Sequence, residues 1–158
     1  MRVLFVCLGN ICRSPTAEGM LRHKLEAAGL AERVTIDSCG TGDWHVGKAP
    51  DRRAAAAAAE RGIDLSGLRA RQLDRADFER FDYLLAMDHD NLDDLLAMRP
   101  GDCQAHVGLF LDFAGRREAA VPDPYYGGEA GFDEVLDLVE SAADGLIEAL
   151  RGRLGTSP

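Results

Sequence analysis

The sequence predicts an α/β fold, a single domain built on an open sheet of four parallel strands with helices on both faces. Three observations carry that expectation. An apolar, β-branched run, Val3 to Val6, ends in a glycine-containing loop and passes straight into a helical pattern, as a parallel strand buried on both faces does. Further strand-like runs alternate with helical ones along the chain. Finally, 158 residues, 46% hydrophobic and 28% charged, suit one domain with a sizeable core, and neither an internal repeat nor an interdomain linker divides them.

The elements follow in order. After the first strand, Ser14 and Pro15 supply an N-cap and a proline at the first helical position. Ala17, Met20, Leu21, Leu25 and Ala28 then recur at helical spacing, which predicts a helix from about Pro15 to Gly29. A second strand is read at Val34 to Ser38. It leads into a loop containing Gly40, Gly42, Gly47 and the only tryptophan, Trp44. Pro50 and Asp51 open a second helix, whose middle is the alanine run Ala54 to Ala59 and whose end is near Gly62; alanine is the best helix former. Tyr83 to Met87 reads as a third strand, Asp88 to Met98 as a helix capped by Asp88, and His106 to Leu111 as a fourth strand. The last helix shows the clearest pattern, with Phe132, Val135, Leu136, Val139, Ala143, Leu146, Ile147 and Leu150 forming one apolar stripe at 3.6 spacing. The last few residues read as a flexible tail.

Eighteen basic and 27 acidic side chains give a net charge of -9, which argues against a broad basic surface for nucleic acid or anionic membrane. The surplus is regional. Residues 118–150 carry nine acidic residues and no basic one, whereas residues 1–30 carry four basic and two acidic. Cys7, Cys12, Cys39 and Cys103 are too few and too scattered for a disulfide framework, so a reducing, cytoplasmic setting is expected. The apolar start is interrupted by Gly9, Asn10 and Arg13 before it could serve as a signal sequence, and no stretch approaches the roughly 18 apolar residues of a membrane span. The histidines His23, His45, His89 and His106 lack ligand spacing and Cys7 and Cys12 have no second ligand pair nearby, so neither a metal nor another cofactor is expected.

In open α/β sheets, ligands bind at the carboxyl ends of the strands. That rule points to Cys7 through Ser14, CLGNICRS. A short loop whose N–H groups point inward, backed by a helix N-terminus, cradles an anion, and the same field favours the thiolate form of a cysteine. Arg13 can bring a planar guanidinium to two oxygens of a phosphate, which lysine cannot reproduce. Gly9 and Asn10 suit the left-handed backbone of a tight loop. Ser14 can donate to the Cys7 sulfur while capping the helix. The bland alternative is a buried cysteine with a surface arginine beside a turn. Farther on, Asp123 is held between Pro122 and Pro124, the restricted backbone that a positioned acid needs; on its own residues a turn aspartate is the better reading.

These residues resemble the low-molecular-weight protein tyrosine phosphatase family. VLFVCLGNICRSPTAE looks like the family's phosphate-binding loop and following helix, and DPYYG at Asp123 to Gly127 looks like its general-acid loop. Between them DSCGTGDWHVGKAPD, ARQL and FDYLLAMDHDNL align with the family, so the resemblance covers essentially the whole chain. It implies hydrolysis of phosphotyrosine through a cysteinyl-phosphate intermediate, with Cys7 as nucleophile and Arg13 binding the phosphate. Backbone N–H groups of Leu8, Gly9, Asn10, Ile11, Cys12 and Ser14 would complete the cradle. Asp123 would protonate the departing phenolate and then deprotonate the attacking water. Leu8, Trp44, Tyr125 and Tyr126 would line the pocket for the substrate ring, Trp44 as a specificity element, and such walls favour phosphotyrosine over the shorter phosphoserine.

The resemblance also implies that Cys12 pairs with Cys7 under oxidation and protects the thiolate; Cys39 and Cys103 read as inert core thiols. In one place the chain departs from the pattern. Many relatives brace the loop with a histidine ahead of ARQL where this chain has Leu68, which implies that part of the network joining Asn10, Ser14 and Ser38 is missing. Two rival readings use the same fold. A thiol-dependent arsenate reductase needs a downstream cysteine pair, and Met87 to Met98 contains none, with only Cys103 nearby. A non-catalytic phosphotyrosine-binding module would be expected to have lost Cys7, Arg13 or Asp123. Expected partners are tyrosine-phosphorylated proteins, with inorganic phosphate as product. Sixteen arginines against two lysines, with abundant alanine, suggest a high-GC bacterial genome and hence a bacterial tyrosine kinase.

Overall fold

In the computed structural model, which describes residues 1–115, 120–122 and 129–154, the first strand, β1 (Arg2–Cys7), is an interior strand of the sheet. Val3, Leu4, Phe5 and Val6 are all fully buried because the strand has protein on both faces. Val3, Phe5 and Cys7 point into one core and Leu4 and Val6 into another, the alternation that a pleated strand imposes. After β1 come α1 (Arg13–Ala27), β2 (Thr35–Gly40), α2 (Arg52–Glu60), α3 (Asp77–Arg80), β3 (Tyr83–Ala86), α4 (His89–Met98), β4 (His106–Leu109) and α5 (Glu129–Leu154). The strands form one parallel sheet in the order β2-β1-β3-β4. Met20, Leu21 and Leu25 of α1 and Val135, Val139 and Leu146 of α5 close the first core. Phe78 of α3 and Leu95 of α4 close the second. The predicted four-stranded sheet with helices on both faces is what the chain forms.

The differences from the sequence reading are local. α1 begins at Arg13, with Cys12 at the cap position and no side chain capping it, so Ser14 lies inside the helix and its hydroxyl is free for other partners. The fourth strand stops at Leu109, and Phe110 to Ala114 form a 3-10 turn ended by Gly115 in the left-handed conformation (φ 73°). That turn swings Phe110 into the core, edge-on to Phe5 with ring centroids 4.8 Å apart. The four-residue α3 has no counterpart in the reading, being too short to show a period. The acidic surplus of α5 is partly matched: Lys24 pairs with Glu140 and Asp144, and Arg61 with Asp133 and Asp137.

α2 starts as predicted. The Asp51 carboxylate accepts from the backbone N–H groups of Arg53 (2.8 Å) and Ala54 (3.4 Å). Burial works against its charge, but the Arg53 guanidinium and these N–H groups hold its pKa below the ordinary aspartate range. A depressed carboxyl pKa stabilises the fold above the unfolded value, about 3.9, and that stability is lost as pH falls through the folded value. Asp51→Ala is therefore expected to cost about 1 kcal/mol at pH 7, with the gap to the parent protein closing below about pH 4. Urea melts at pH 7 and pH 3 check this; a gap that does not narrow would refute it.

Candidate active site

The end of β1 delivers Cys7 to the middle of the sheet, and the residues after it are fastened on every side. Thr41 N–H donates to the Cys7 carbonyl (2.9 Å), Gly42 N–H to Leu8 (2.9 Å) and Asp51 N–H to Ile11 (2.7 Å), while Arg71 N–H donates to Asn10 Oδ1 (3.0 Å). Asn10 adopts the left-handed conformation (φ 58°), as its residue type suggested. Gly9 does not. Its need is space, since a Cβ there would lie 2.8 Å from the His45 ring. Gly40 is required more strictly, because a Cβ would sit 2.6 Å from the Leu8 carbonyl oxygen, a backbone atom.

Cys7 is 3% exposed. Its sulfur accepts the Asn10 N–H (3.3 Å) and lies 2.9 Å from Ser14 Oγ. The protons of this network can be assigned by counting. Asn10 Nδ2 donates one hydrogen to Ser14 Oγ (2.8 Å) and the other to Ser38 Oγ (3.0 Å), so both serines are acceptors there. Ser38 gives its own proton to Glu18 Oε1 (2.6 Å). Ser14 has one proton and two acceptors in reach, the Cys39 carbonyl at 3.3 Å and the Cys7 sulfur when it is ionised. A thiolate at Cys7 is thus met by a backbone N–H and a hydroxyl whose direction is set by an amide and, beyond it, a carboxylate. Glu18 is itself bonded by Arg22 (2.9 Å), and burial raises its pKa against the lowering contacts of Ser38 and Arg22.

At position 68 the side chain has no hydrogen bond to give the loop. Leu68 packs against the first core, yet Asn10, Ser14 and Ser38 remain joined directly, and the network ends on Glu18. The loop is braced by groups other than the one absent.

Arg13 is also buried, and its Nη1 donates to Asp88 Oδ2 (2.7 Å) and to the Val121 carbonyl (3.0 Å). The other oxygen of Asp88 caps α4 by accepting from Asn91 N–H (2.7 Å). A buried guanidinium needs an anion, and the carboxylate that supplies it also starts a helix.

Residues 2–154 match the family model described as low molecular weight phosphotyrosine protein phosphatase. The chain belongs to that phosphatase family. Over 143 residues it is 49% identical to the low molecular weight phosphotyrosine protein phosphatase of Schizosaccharomyces pombe, covering 89% of this chain and 91% of the relative. The crystal structure of a protein tyrosine phosphatase from Entamoeba histolytica superimposes with a TM-score of 0.92 at 40% identity, covering 96% of this chain and 97% of that one. Wzb from Vibrio vulnificus in complex with benzylphosphonate superimposes with a TM-score of 0.82 at 28% identity, covering 94% and 97%.

In this member of the phosphatase family, the residues expected at the site divide into four groups. Cys7, Asn10 and Ser14 share one hydrogen-bonded cluster, and Arg13 leaves the same loop toward Asp88. Ile11 and Cys12 turn their side chains into a small core with Ala54, Ala70 and Phe132, so what they offer an anion is backbone. Leu8 (43% exposed) and Trp44 (67% exposed) stand at the surface, with the indole lying over Gly42, where a Cβ would be 1.9 Å from the ring. Asp123, Tyr125 and Tyr126 lie outside the described residues, as do the tail residues 155–158. Val121, two positions before Asp123, is fixed by its N–H to the Met87 carbonyl (2.7 Å) and its carbonyl to Arg13.

Three groups of this phosphatase site were not singled out from the sequence. Asp88 was read only as a helix cap, and Glu18 and Arg71 only as letters of the aligned motifs VLFVCLGNICRSPTAE and ARQL. Arg71 anchors the loop from behind, its guanidinium bonded to Asp37 (2.9 Å) and to the buried Asp77 (3.0 Å). Burial disfavours its charge, but these carboxylates win and hold its pKa well above the ordinary arginine range. Cys39 is fully buried, and burial pushes its thiol well up, the state of an inert core cysteine. All four cysteines are free thiols. Among the described residues no three side chains are grouped to hold a metal.

Proposed function

We propose that this phosphatase hydrolyses phosphotyrosine in proteins through a phosphorylated Cys7. The observation that supports it most is the buried Cys7 sulfur facing the Asn10 N–H and the Ser14 hydroxyl, at the head of a loop that ends in an arginine oriented by Asp88. The thiolate attacks phosphorus and the bond from phosphorus to the tyrosine oxygen breaks. Arg13 and the backbone N–H groups from Leu8 to Ser14 bind the phosphoryl oxygens, and Asp123 gives its proton to the leaving phenolate. Asp123 then takes a proton from water, which attacks phosphorus and releases inorganic phosphate and the Cys7 thiolate, again received by the Ser14 hydroxyl.

A thiol this buried favours a long, flat substrate, with Leu8, Trp44, Tyr125 and Tyr126 as walls for its ring. The benzylphosphonate held by the Vibrio relative is a compound of that shape. Under peroxide, a Cys7 sulfenic acid would condense with the Cys12 thiol, releasing water and sparing the nucleophile from further oxidation. Free thiols support a cytoplasmic enzyme, and among the described residues no helix is long and apolar enough to cross a membrane. In a bacterial host its substrates would be the products of a tyrosine kinase.

Turnover of a phosphotyrosyl peptide by the wild-type protein tests the reading, and its absence would sink it. The acid is tested by leaving group. Asp123→Ala is expected to lower kcat on phenyl phosphate by about 10²- to 10⁴-fold and to cost far less on aryl phosphates whose phenols leave without protonation. Equal losses across the series would remove Asp123 from the role.

A further inference from the structure

Next to Cys7 a groove of about 350 Å³ opens, lined by Leu8, Thr41, Trp44, Gln72, Asp94 and Met98 among others. Leu8 follows Cys7 directly, so the groove begins at the edge of the phosphate loop. Its walls combine two chemistries. Leu8, Trp44 and Met98 offer apolar surface, the first two conspicuously exposed for their size. Against them stand polar groups in need of partners. Among the described residues Thr41 Oγ1 is buried without a hydrogen-bond partner, while the Thr41 carbonyl is taken by Gln72 Nε2 (3.3 Å). Asp94 is the one charged residue among the lining groups, lies exposed on α4, and makes no ion pair among the described residues. Its helix also carries Asp90 and Asp93 and has no lysine or arginine.

An aliphatic stem ending in a cation satisfies this set. The stem packs on Leu8 and Met98, and the cation lies against the indole face of Trp44 and beside the Asp94 carboxylate. An acidic side chain would meet Asp94 with like charge. We propose that this groove seats a lysine or arginine flanking the phosphotyrosine of the substrate, which makes Asp94 a specificity-determining residue. The inference rests on the phosphotyrosine reading above.

The experiment uses phosphotyrosyl peptides with arginine, alanine or glutamate at each of the three positions on either side, alongside p-nitrophenyl phosphate, which is too short to enter the groove. At one position or more, arginine is expected to exceed glutamate in kcat/KM by about five- to tenfold. Asp94→Asn should bring arginine level with alanine, and Asp94→Lys should invert the order, both keeping p-nitrophenyl phosphate turnover within about twofold. Glu148→Lys, the same charge change at an exposed position of α5, should leave the preference standing. The proposal is overturned if no position separates arginine from glutamate, if the preference survives both Asp94 variants, or if Glu148→Lys abolishes it too, which would assign it to overall charge. Failure of the underlying phosphatase reading looks different, since the wild-type protein would then not turn over p-nitrophenyl phosphate either.

Discussion

Cys7→Ser leaves a folded protein with no measurable turnover of p-nitrophenyl phosphate or of a phosphotyrosyl peptide. The substitution exchanges sulfur for oxygen where the side chain is buried and already accepts the Asn10 N–H and faces the Ser14 hydroxyl, so packing changes little. What is lost is the anion. A serine hydroxyl near neutral pH remains protonated, and among the described residues that touch it Asn10 cannot take its proton: the Asn10 N–H donates toward the site and both its amide hydrogens are committed. The expected loss is at least about four orders of magnitude in kcat, with the urea midpoint nearly unchanged. Phosphate release within tenfold of wild type would remove Cys7 from the nucleophile's role.

Arg13→Lys is the second large effect, and it separates charge from shape. Lysine restores the positive charge but not a planar fork of five N–H donors that can bond Asp88 and a phosphate at once. Either the ammonium stays with Asp88 and the Val121 carbonyl, leaving the phosphoryl oxygens short of a donor, or it turns to the phosphate and leaves the carboxylate unpaired. Loss of one such donor costs about 10² to 10³ in rate, so kcat/KM should fall by about three orders of magnitude, and inhibition by inorganic phosphate should weaken in parallel. Steady-state kinetics with phosphate as competitive inhibitor checks both. A lysine variant retaining a tenth of the wild-type kcat/KM would show that a point charge is enough.

What the sequence made legible was whatever a short window contains. The run Val3 to Val6 with its loop, the caps at Asp51 and Asp88, and the stripe of the last helix are local patterns, and each is where it was expected. Cys7, Asn10, Arg13 and Ser14 were recognisable because one loop holds them all. The errors at Ser14 and at the end of β4 come from competition. Ser14 reads as a cap by spacing, but the buried Cys7 and Asn10 need its hydroxyl more, and His106 to Leu111 reads as one strand until Phe110 finds a better place in the core. The hidden groups are those joined only by folding. Asn10 meets Ser38 across 28 positions and Arg13 meets Val121 across 108, and no periodicity encodes such a meeting. The same holds for Asp94, one acid among several on its helix until the sheet sets it beside Leu8 and Trp44.

The fastening of the loop has a further meaning for how the protein comes apart. Its carbonyls and the Asn10 side chain are tied to the ends of β2 and α2 and to the strand-like segment at Arg71, while the neighbouring β1 pairs along its length with β2 and β3. Opening the cradle alone would break bonds to each of these at once, with no intact remainder to reward the motion. The catalytic floor therefore belongs to the same cooperative unit as the central sheet. Damage confined to the far ends of the helices is expected to leave the fastening of the loop in place.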